Sequence, residues 1–179
     1  MRYLSRRWVW LLLLIGFSGN YETSFAASTE ETLTAAILYN FLKFAEWPAH
    51  GVSSDTFTIC VSDITPFIDE LSAINGRSAQ NKTVQIKSIQ LGDNPTGCQL
   101  LFLPREEKPV RIREWIKNCQ ALPILVVGNL SDFLNFGGMI QLTKDGDRVR
   151  LDVNLEPIKK VDLKLSAQLL KIAHDVKGK

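Results

Sequence analysis

The stretch Pro123-Ile124-Leu125-Val126-Val127-Gly128 decides the fold class of this chain. It is apolar from Ile124 to Val127 and is bounded by a proline and a glycine. A short, continuously apolar run of this kind is typical of a strand that is buried on both faces, as in a parallel sheet covered by helices. The rest of the chain is therefore expected to supply further strands and the helices that cover them.

Three more strands, each rich in β-branched or large apolar residues, are predicted before this run. The helices between them are predicted from start and stop signals, such as the capping-box spacing of Ser28-Thr29-Glu30-Glu31 and the break at Trp47-Pro48. The predicted strands are 57–61, 83–89 and 98–103. The predicted helices are one that follows the capping box and runs through Ala45, one over 66–74 and one over 110–119.

The last third of the chain has a different pattern. Alternating strands at 139–143 and 149–153 flank Lys144-Asp145-Gly146-Asp147, and Asp-Gly between such runs predicts a β-hairpin. Ser166 is then expected to cap a terminal helix. Together these elements predict an α/β fold: a mainly parallel sheet between helical layers, with a C-terminal antiparallel hairpin at its edge and a terminal helix.

Residues 1–26 have the three parts of a secretory signal peptide. An arginine-rich start is followed by an apolar run, Trp8 to Phe17, and by Ser24-Phe25-Ala26, whose small residues suit signal peptidase. The apolar run is shorter than the ~20 residues needed to cross a bilayer. We therefore predict cleavage before Ala27 and one domain over 27–179; the alternative is an uncleaved N-terminal anchor.

The formal net charge of the whole chain is +2, but this excess belongs to the predicted signal peptide. That segment carries Arg2, Arg6, Arg7 and Glu22, so the remainder is formally neutral. A neutral domain lacks the positive field that concentrates DNA, RNA or anionic lipid. We expect no nucleic-acid partner.

The sequence contains none of the usual catalytic or metal-binding motifs. His50 in a loop and His174 on the terminal helix are interpreted as structural histidines, and the acidic pairs Glu106-Glu107 and Asp145/Asp147 as solvated turn residues. The sequence therefore predicts a binding protein and not an enzyme, with no cofactor and no metal.

The chain has three cysteines, Cys60, Cys98 and Cys119. In an oxidising compartment, the expected arrangement is one disulfide and one remaining thiol. None of the three forms a C-x-x-C pair, so neither a redox centre nor a zinc site is indicated.

Phe133, Leu134 and Phe136 are three large apolar residues within four positions, directly before Gly137-Gly138. If they are exposed, they form the aromatic centre of a partner-binding surface. The alternative is that they cover the end of the sheet as part of the core.

Seven segments, taken in order, carry a family resemblance. They are Tyr39–Pro48, Thr58–Asp63, Gly97–Leu103, Leu122–Val126, Gly137–Ile140, Val149–Leu155 and Leu163–Leu170. In this order and spacing they resemble the YfiR-like family of periplasmic proteins over essentially all of 27–179.

The resemblance implies a regulatory function. YfiR-like proteins repress an inner-membrane diguanylate cyclase by binding its periplasmic sensory part, which lowers cyclic di-GMP and biofilm formation. An outer-membrane lipoprotein can sequester the repressor, and the family forms homodimers. The resemblance thus implies that this chain is exported to the periplasm and acts through protein–protein contact.

The resemblance also implies that Cys60 and Cys98 form a disulfide. This chain lacks the second cysteine pair that better-known members have in the region corresponding to 133–142, so redox switching through a second bridge is not expected. Cys119 has no family partner, and it is either a buried, inert thiol or the site of an intermolecular disulfide.

A second functional hypothesis is a periplasmic sensor domain that binds a small molecule. Crevices at the carboxyl ends of parallel strands are common ligand sites. Asp63, Pro104 and Gly128 follow or end the predicted strands and would line such a crevice.

Overall fold

The computed structural model describes residues 29–49, 55–146 and 148–178 of the chain. Within these ranges, helices and strands alternate through most of the domain. The elements are α1 Glu30–Phe44, β1 Ala45–Glu46, β2 Thr56–Ser62, α2 Ile68–Ser72, β3 Ser78–Ala79, β4 Lys82–Ile89, β5 Leu100–Leu103, α3 Pro109–Cys119, β6 Leu125–Gly128, a 3-10 turn Phe133–Phe136, β7 Ile140–Asp145, β8 Arg148–Asn154, α4 Leu155–Lys160, β9 Lys164–Leu165, α5 Ala167–Ile172 and β10 Asp175–Lys177.

Eight of these strands form one sheet in the order β10-β8-β7-β6-β5-β2-β4-β3. Within this order, β7, β6, β5, β2 and β4 are five consecutive strands that run parallel to one another. β8 is antiparallel to β7, and the short β3 is antiparallel to β4. The predicted mixed α/β fold with a mainly parallel sheet is confirmed.

The helices lie on both faces of the sheet. The crossover through α2 carries the chain from β2 to β4 on one side, and the crossover through α3 carries it from β5 to β6 on the other. Because such crossovers are right-handed, α2 and α3 fall on opposite faces. α1 contacts α2, and α3 contacts the Phe133–Phe136 turn.

The core lies at the centre of the sheet. Every residue of β5 and β6 is buried, as the continuous apolar run of β6 predicts. α1 adds Leu38, Phe41 and Leu42, each at most 1% exposed, and burying each side chain contributes about 1.5–3 kcal/mol. None of the helices in the described ranges combines the length and the apolar character that crossing a membrane requires.

The start of α1 differs from the predicted capping box. Thr29 is the N-cap, and its Oγ1 accepts a hydrogen bond from the backbone N–H of Thr32 at 3.2 Å. Ser28 lies outside the described residues. The helix also ends at Phe44, earlier than Trp47-Pro48, because Ala45 and Glu46 pair with β9.

The C-terminal region is more complex than predicted. β7 and β8 pair as antiparallel strands from Ile140↔Val153 to Asp145↔Arg148, but they do not form the edge of the sheet. Ser166 caps α5 as expected, since its side chain accepts from the N–H of Leu169. After α5 the chain adds β10, parallel to β8. β10 has a single apolar residue and so shows no strand periodicity in the sequence.

Candidate functional site

The cysteines divide as the resemblance implies. Cys60 and Cys98 form a disulfide with their Cα atoms 5.7 Å apart. It joins β2 to the residues just before β5, and these two strands are neighbours in the sheet. Cys119 is a free thiol on α3 that is 1% exposed, and burial raises the pKa of this thiol to about 12. It is therefore a neutral and poorly reactive group at physiological pH.

The Phe133–Phe136 turn separates the three apolar residues that the sequence groups together. Phe133 is fully buried, whereas Leu134 and Phe136 are half-buried. The turn is held between two residues with left-handed backbone, Asp132 at φ +62° and Gly137 at φ +98°. Phe133 therefore belongs to the core, and Leu134 and Phe136 pack against that core with part of their surface exposed. Their role in partner binding stays a prediction.

Phe136 forms one wall of an apolar groove of about 430 Å³ between α3 and α4. We call this the α3–α4 groove. Its lining residues are Ile116, Cys119, Gln120, Ala121, Val126, Phe136, Gly137, Met139, Pro157 and Lys160. The floor is made by Val126 and Met139, which are 3% and 2% exposed. Its volume lies in the range of about 300–1,000 Å³ that is usual for binding pockets.

The groove could not be predicted from the sequence, because α3 and α4 are distant along the chain and α4 was not predicted. α4 contains Pro157, which argues against a helix in a sequence reading. The proline is tolerated because it lies in the first turn of a helix of six residues. The only sequence signal for the site was the aromatic cluster that contains Phe136.

Leu134 borders a different, polar cavity of about 270 Å³. Its lining residues are Asp132, Leu134, Asn135, Gln141, Asp152, His174, Asp175 and Lys177. His174 follows α5 and does not lie on it, which corrects the predicted placement; its Nδ1 lies 3.0 Å from Asp152 Oδ1. In the described part of the chain, no group of three or more His, Cys, Asp or Glu side chains is arranged to hold a metal ion.

The interpretation of Glu107 as a solvated turn residue is wrong. Its side chain is fully buried, and its carboxylate accepts hydrogen bonds from Ser62 Oγ at 2.5 Å, Arg111 Nε at 2.8 Å and Trp115 Nε1 at 3.3 Å. Burial raises the pKa of the Glu107 carboxyl, but the hydrogen bonds from Arg111, Ser62 and Trp115 outweigh it and hold that pKa below its usual value. Glu107 thus ties the end of β2 to α3.

Two other predictions for polar residues concern positions that lie partly outside the described ranges. Glu106 is an exposed turn residue, as predicted. Asp145 is also exposed, but it is the last residue of β7 and is paired with Arg150 at 2.5 Å. His50 and Asp147 lie outside the described residues.

The crevice expected at the carboxyl ends of the parallel strands is mostly filled. Asp63 is paired with Arg111 at 3.5 Å, Pro104 is buried, and the ring of Phe133 covers Gly128. A cavity beside it, lined in part by Asn129, has a volume of about 20 Å³. That volume is close to the space of one water molecule. A larger ligand therefore has more room in the polar cavity near His174 than at these strand ends.

A comparison with protein families assigns the chain. The model of the YfiR/HmsC-like family matches residues 31–174. The chain belongs to the YfiR/HmsC-like family. This confirms the resemblance that the seven sequence segments carry. No curated protein matches the chain.

The match to the YfiR/HmsC-like family covers the α3–α4 groove and the elements around it. It spans the disulfide, the Phe133–Phe136 turn and all residues that line the α3–α4 groove. The groove presents apolar surface with charges only at its margin, and the Glu107 carboxylate is already engaged by donors from three side chains. Of the sites in the described residues, the groove is the one whose chemistry best suits protein–protein contact.

Proposed function

We propose that this YfiR/HmsC-like protein is a periplasmic regulator that represses an inner-membrane diguanylate cyclase by binding the periplasmic sensory part of that enzyme. Repression lowers cyclic di-GMP and biofilm formation. The observation that carries the proposal is the family match over residues 31–174. In this proposal the protein acts by contact and catalyses no reaction.

The periplasmic location is supported by two features. Residues 1–26 have the pattern of a cleavable signal peptide. The Cys60–Cys98 disulfide is of the kind that forms in an oxidising compartment such as the bacterial periplasm.

The contact surface is supported by the half-buried apolar side chains next to the Phe133–Phe136 turn. Phe136 and Ile116 line the α3–α4 groove, and Leu134 lies on the other side of the turn. Partly exposed aromatic residues beside a pocket are favourable centres for protein–protein interfaces. Phe133 supports them from the core, so its role in binding is to position the turn.

The proposal includes two further partners. The protein forms a homodimer, and an outer-membrane lipoprotein sequesters it and so relieves repression. Light scattering of the purified protein across a concentration series tests the first. Co-purification with outer-membrane lipoproteins after reversible cross-linking in cells tests the second.

The test of the function is cellular cyclic di-GMP in the native host with and without the gene. We expect a rise on deletion that the exported protein reverses and a version lacking residues 1–26 does not. An unchanged cyclic di-GMP level across growth and envelope-stress conditions would contradict the proposal. Reversal by the version without the signal peptide would contradict the periplasmic site of action.

A second candidate function is a periplasmic sensor that binds a small polar molecule. The observation that favours it is the 270 Å³ cavity lined by Asp132, Asp152, Asp175, His174 and Lys177. A thermal-shift screen of polar metabolites with the wild type and with Asp152→Asn tests it. A ligand of this cavity stabilises the wild type and has a smaller effect on the variant.

A further inference from the structure

We propose that the α3–α4 groove binds a segment of the partner protein that combines an apolar anchor with an adjacent carboxylate, and that Arg113 and Lys160 pair with that carboxylate. This inference rests on the proposed function, because it names the chemistry of the partner at the same site. It goes further by specifying which charges select the partner.

The apolar anchor follows from the lining of the groove. Val126 and Met139 are buried at its floor, and Ile116, Phe136 and Pro157 are half-buried around them. The lining residues with hydrogen-bonding or charged side chains are Gln120 and Lys160, which are exposed at the margin, and the neutral, buried thiol of Cys119. Apolar side chains of a partner would cover this surface and release water from it.

The carboxylate follows from the charges at the margin. The guanidinium carbon of Arg113 lies 4.6 Å from the centre of the Phe136 ring, so this cation stacks on a residue of the groove wall without lining the groove itself. In the part of the chain that the structure describes, Arg113 forms no salt bridge. Lys160 is paired with Glu156 at 2.8 Å, but both side chains are about two-thirds exposed. Such a pair contributes little to stability, so Lys160 can exchange it for a partner carboxylate at low cost.

The interior of the groove argues for a protein segment over a small ligand. Small-molecule sites place a few polar groups inside the pocket to orient the ligand. Here the charged groups stand at the margin, and the interior is apolar apart from a buried thiol. A margin of charges around an apolar centre is instead the usual arrangement of a protein–protein interface.

The first experiment places a photoreactive amino acid, p-benzoylphenylalanine, in the full-length protein in its native host. Gln120 lines the groove, whereas Asn118 on the same helix is exposed and lies about 200° around it. We expect position 120 to cross-link to the membrane diguanylate cyclase at a site next to both apolar and acidic residues, and position 118 to give at most a tenth of that yield. A cross-link to a second copy of this chain, or to a segment without acidic residues, would overturn the inference.

The second experiment tests the charges. Arg113→Glu combined with Lys160→Glu is expected to lower the cross-linking yield at position 120 by at least about tenfold, because the margin then repels the partner carboxylate. Replacing the acidic residue next to the mapped site in the cyclase with lysine is expected to restore the yield. Arg148→Glu, an exposed position on β8 far from the groove, is the matched control and should have no effect.

These outcomes separate the inference from the proposed function. If deletion raises cyclic di-GMP and the double charge reversal still represses and cross-links normally, the function stands and the groove inference is wrong. If deletion leaves cyclic di-GMP unchanged, the proposed function fails. Circular dichroism and thermal melting of the variants confirm folding, which is expected to be unaffected because Arg113 and Lys160 are exposed.

Discussion

The ring of Phe133 lies directly against the backbone of Gly128, so closely that a Cβ at position 128 would meet the ring's Cε2 atom at 2.6 Å. Gly138 contacts the other edge of the same ring. Both positions therefore have to be glycine, because a side chain at either would clash with the Phe133 ring. Their contact with Phe133 fixes the Phe133–Phe136 turn over the sheet and thereby sets the position of Phe136 at the groove.

Gly128→Ala is expected to destabilise the protein by about 1–3 kcal/mol, because the new methyl group overpacks a core that cannot move aside. Denaturant unfolding of the single and double variants checks this. In a Phe133→Leu background the same substitution should cost less than about 0.5 kcal/mol, since the ring carbons are gone. Equal losses of unfolding free energy in both backgrounds would show that the contact with Phe133 does not exclude a side chain at position 128.

Glu107→Gln is expected to lower the free energy of unfolding at pH 7 by about 2–4 kcal/mol, because it weakens a buried, charge-assisted network with Arg111. The neighbouring Glu106→Gln is the matched control and should change stability by less than about 0.5 kcal/mol, because Glu106 is exposed. Chemical denaturation monitored by tryptophan fluorescence, from Trp47 and Trp115, measures both.

The same variant has a defined pH dependence. The pKa of Glu107 is depressed in the folded protein, so its stabilising contribution is present above the ordinary carboxyl pKa of 4.5. This stabilising contribution is lost as the pH falls through the lower pKa that Glu107 has in the folded protein. The stability difference between the wild type and Glu107→Gln should therefore be constant from pH 6 to 7 and shrink below about pH 4.5. A difference that grows on acidification would contradict the depressed pKa.

Replacing both Cys60 and Cys98 with alanine is expected to cost about 3–4 kcal/mol, because the disulfide closes a loop with a sequence separation of 38. Thermal melting with and without reductant measures this. Cys119→Ala is the control: it should leave the effect of reductant unchanged, because Cys119 is not in the bridge. Since Cys60 is 0% and Cys98 4% exposed, reduction of the folded wild type is expected to be slow.

Protein recovered from the periplasm is expected to begin at Ala27, since Ser24-Phe25-Ala26 provides the small residues that signal peptidase requires. Intact mass spectrometry checks the terminus. Ala26→Leu should leave the precursor uncleaved and attached to the membrane. A wild-type mass that includes residues 1–26 would support the uncleaved anchor instead.

The strands were the most predictable elements. The strand predicted over Pro123–Gly128 is observed as Leu125–Gly128, with every residue buried. The strands predicted at 57–61 and 83–89 lie within the observed strands β2 and β4, respectively. For β6 the composition is sufficient because a strand buried on both faces has to be apolar at consecutive positions. β4 is recognised instead by its alternation, since Val84 and Ile89 are buried and most residues between them are not.

The candidate site was less predictable. The aromatic cluster lies in the turn that borders the α3–α4 groove, but the sequence could not tell that Phe133 faces inward while Phe136 borders the groove. A 3-10 turn of four residues is too short to show a periodic pattern. The sequence also placed Glu107 in solvent, because an acidic pair in a loop is usually hydrated.

The sequence by itself determined the α/β class, the positions of the main strands along the chain and the family, and the resemblance to that family implied which cysteines form the disulfide. These properties depend on local composition and on ordered motifs along the chain. Only the tertiary structure decided that β10 extends the sheet beyond the hairpin, that Glu107 is buried under Arg111 and Trp115, and that α3 and α4 enclose a groove around Phe136. Each of these depends on contacts between residues that are not adjacent in the chain, and local periodicity carries no information about which distant surfaces meet.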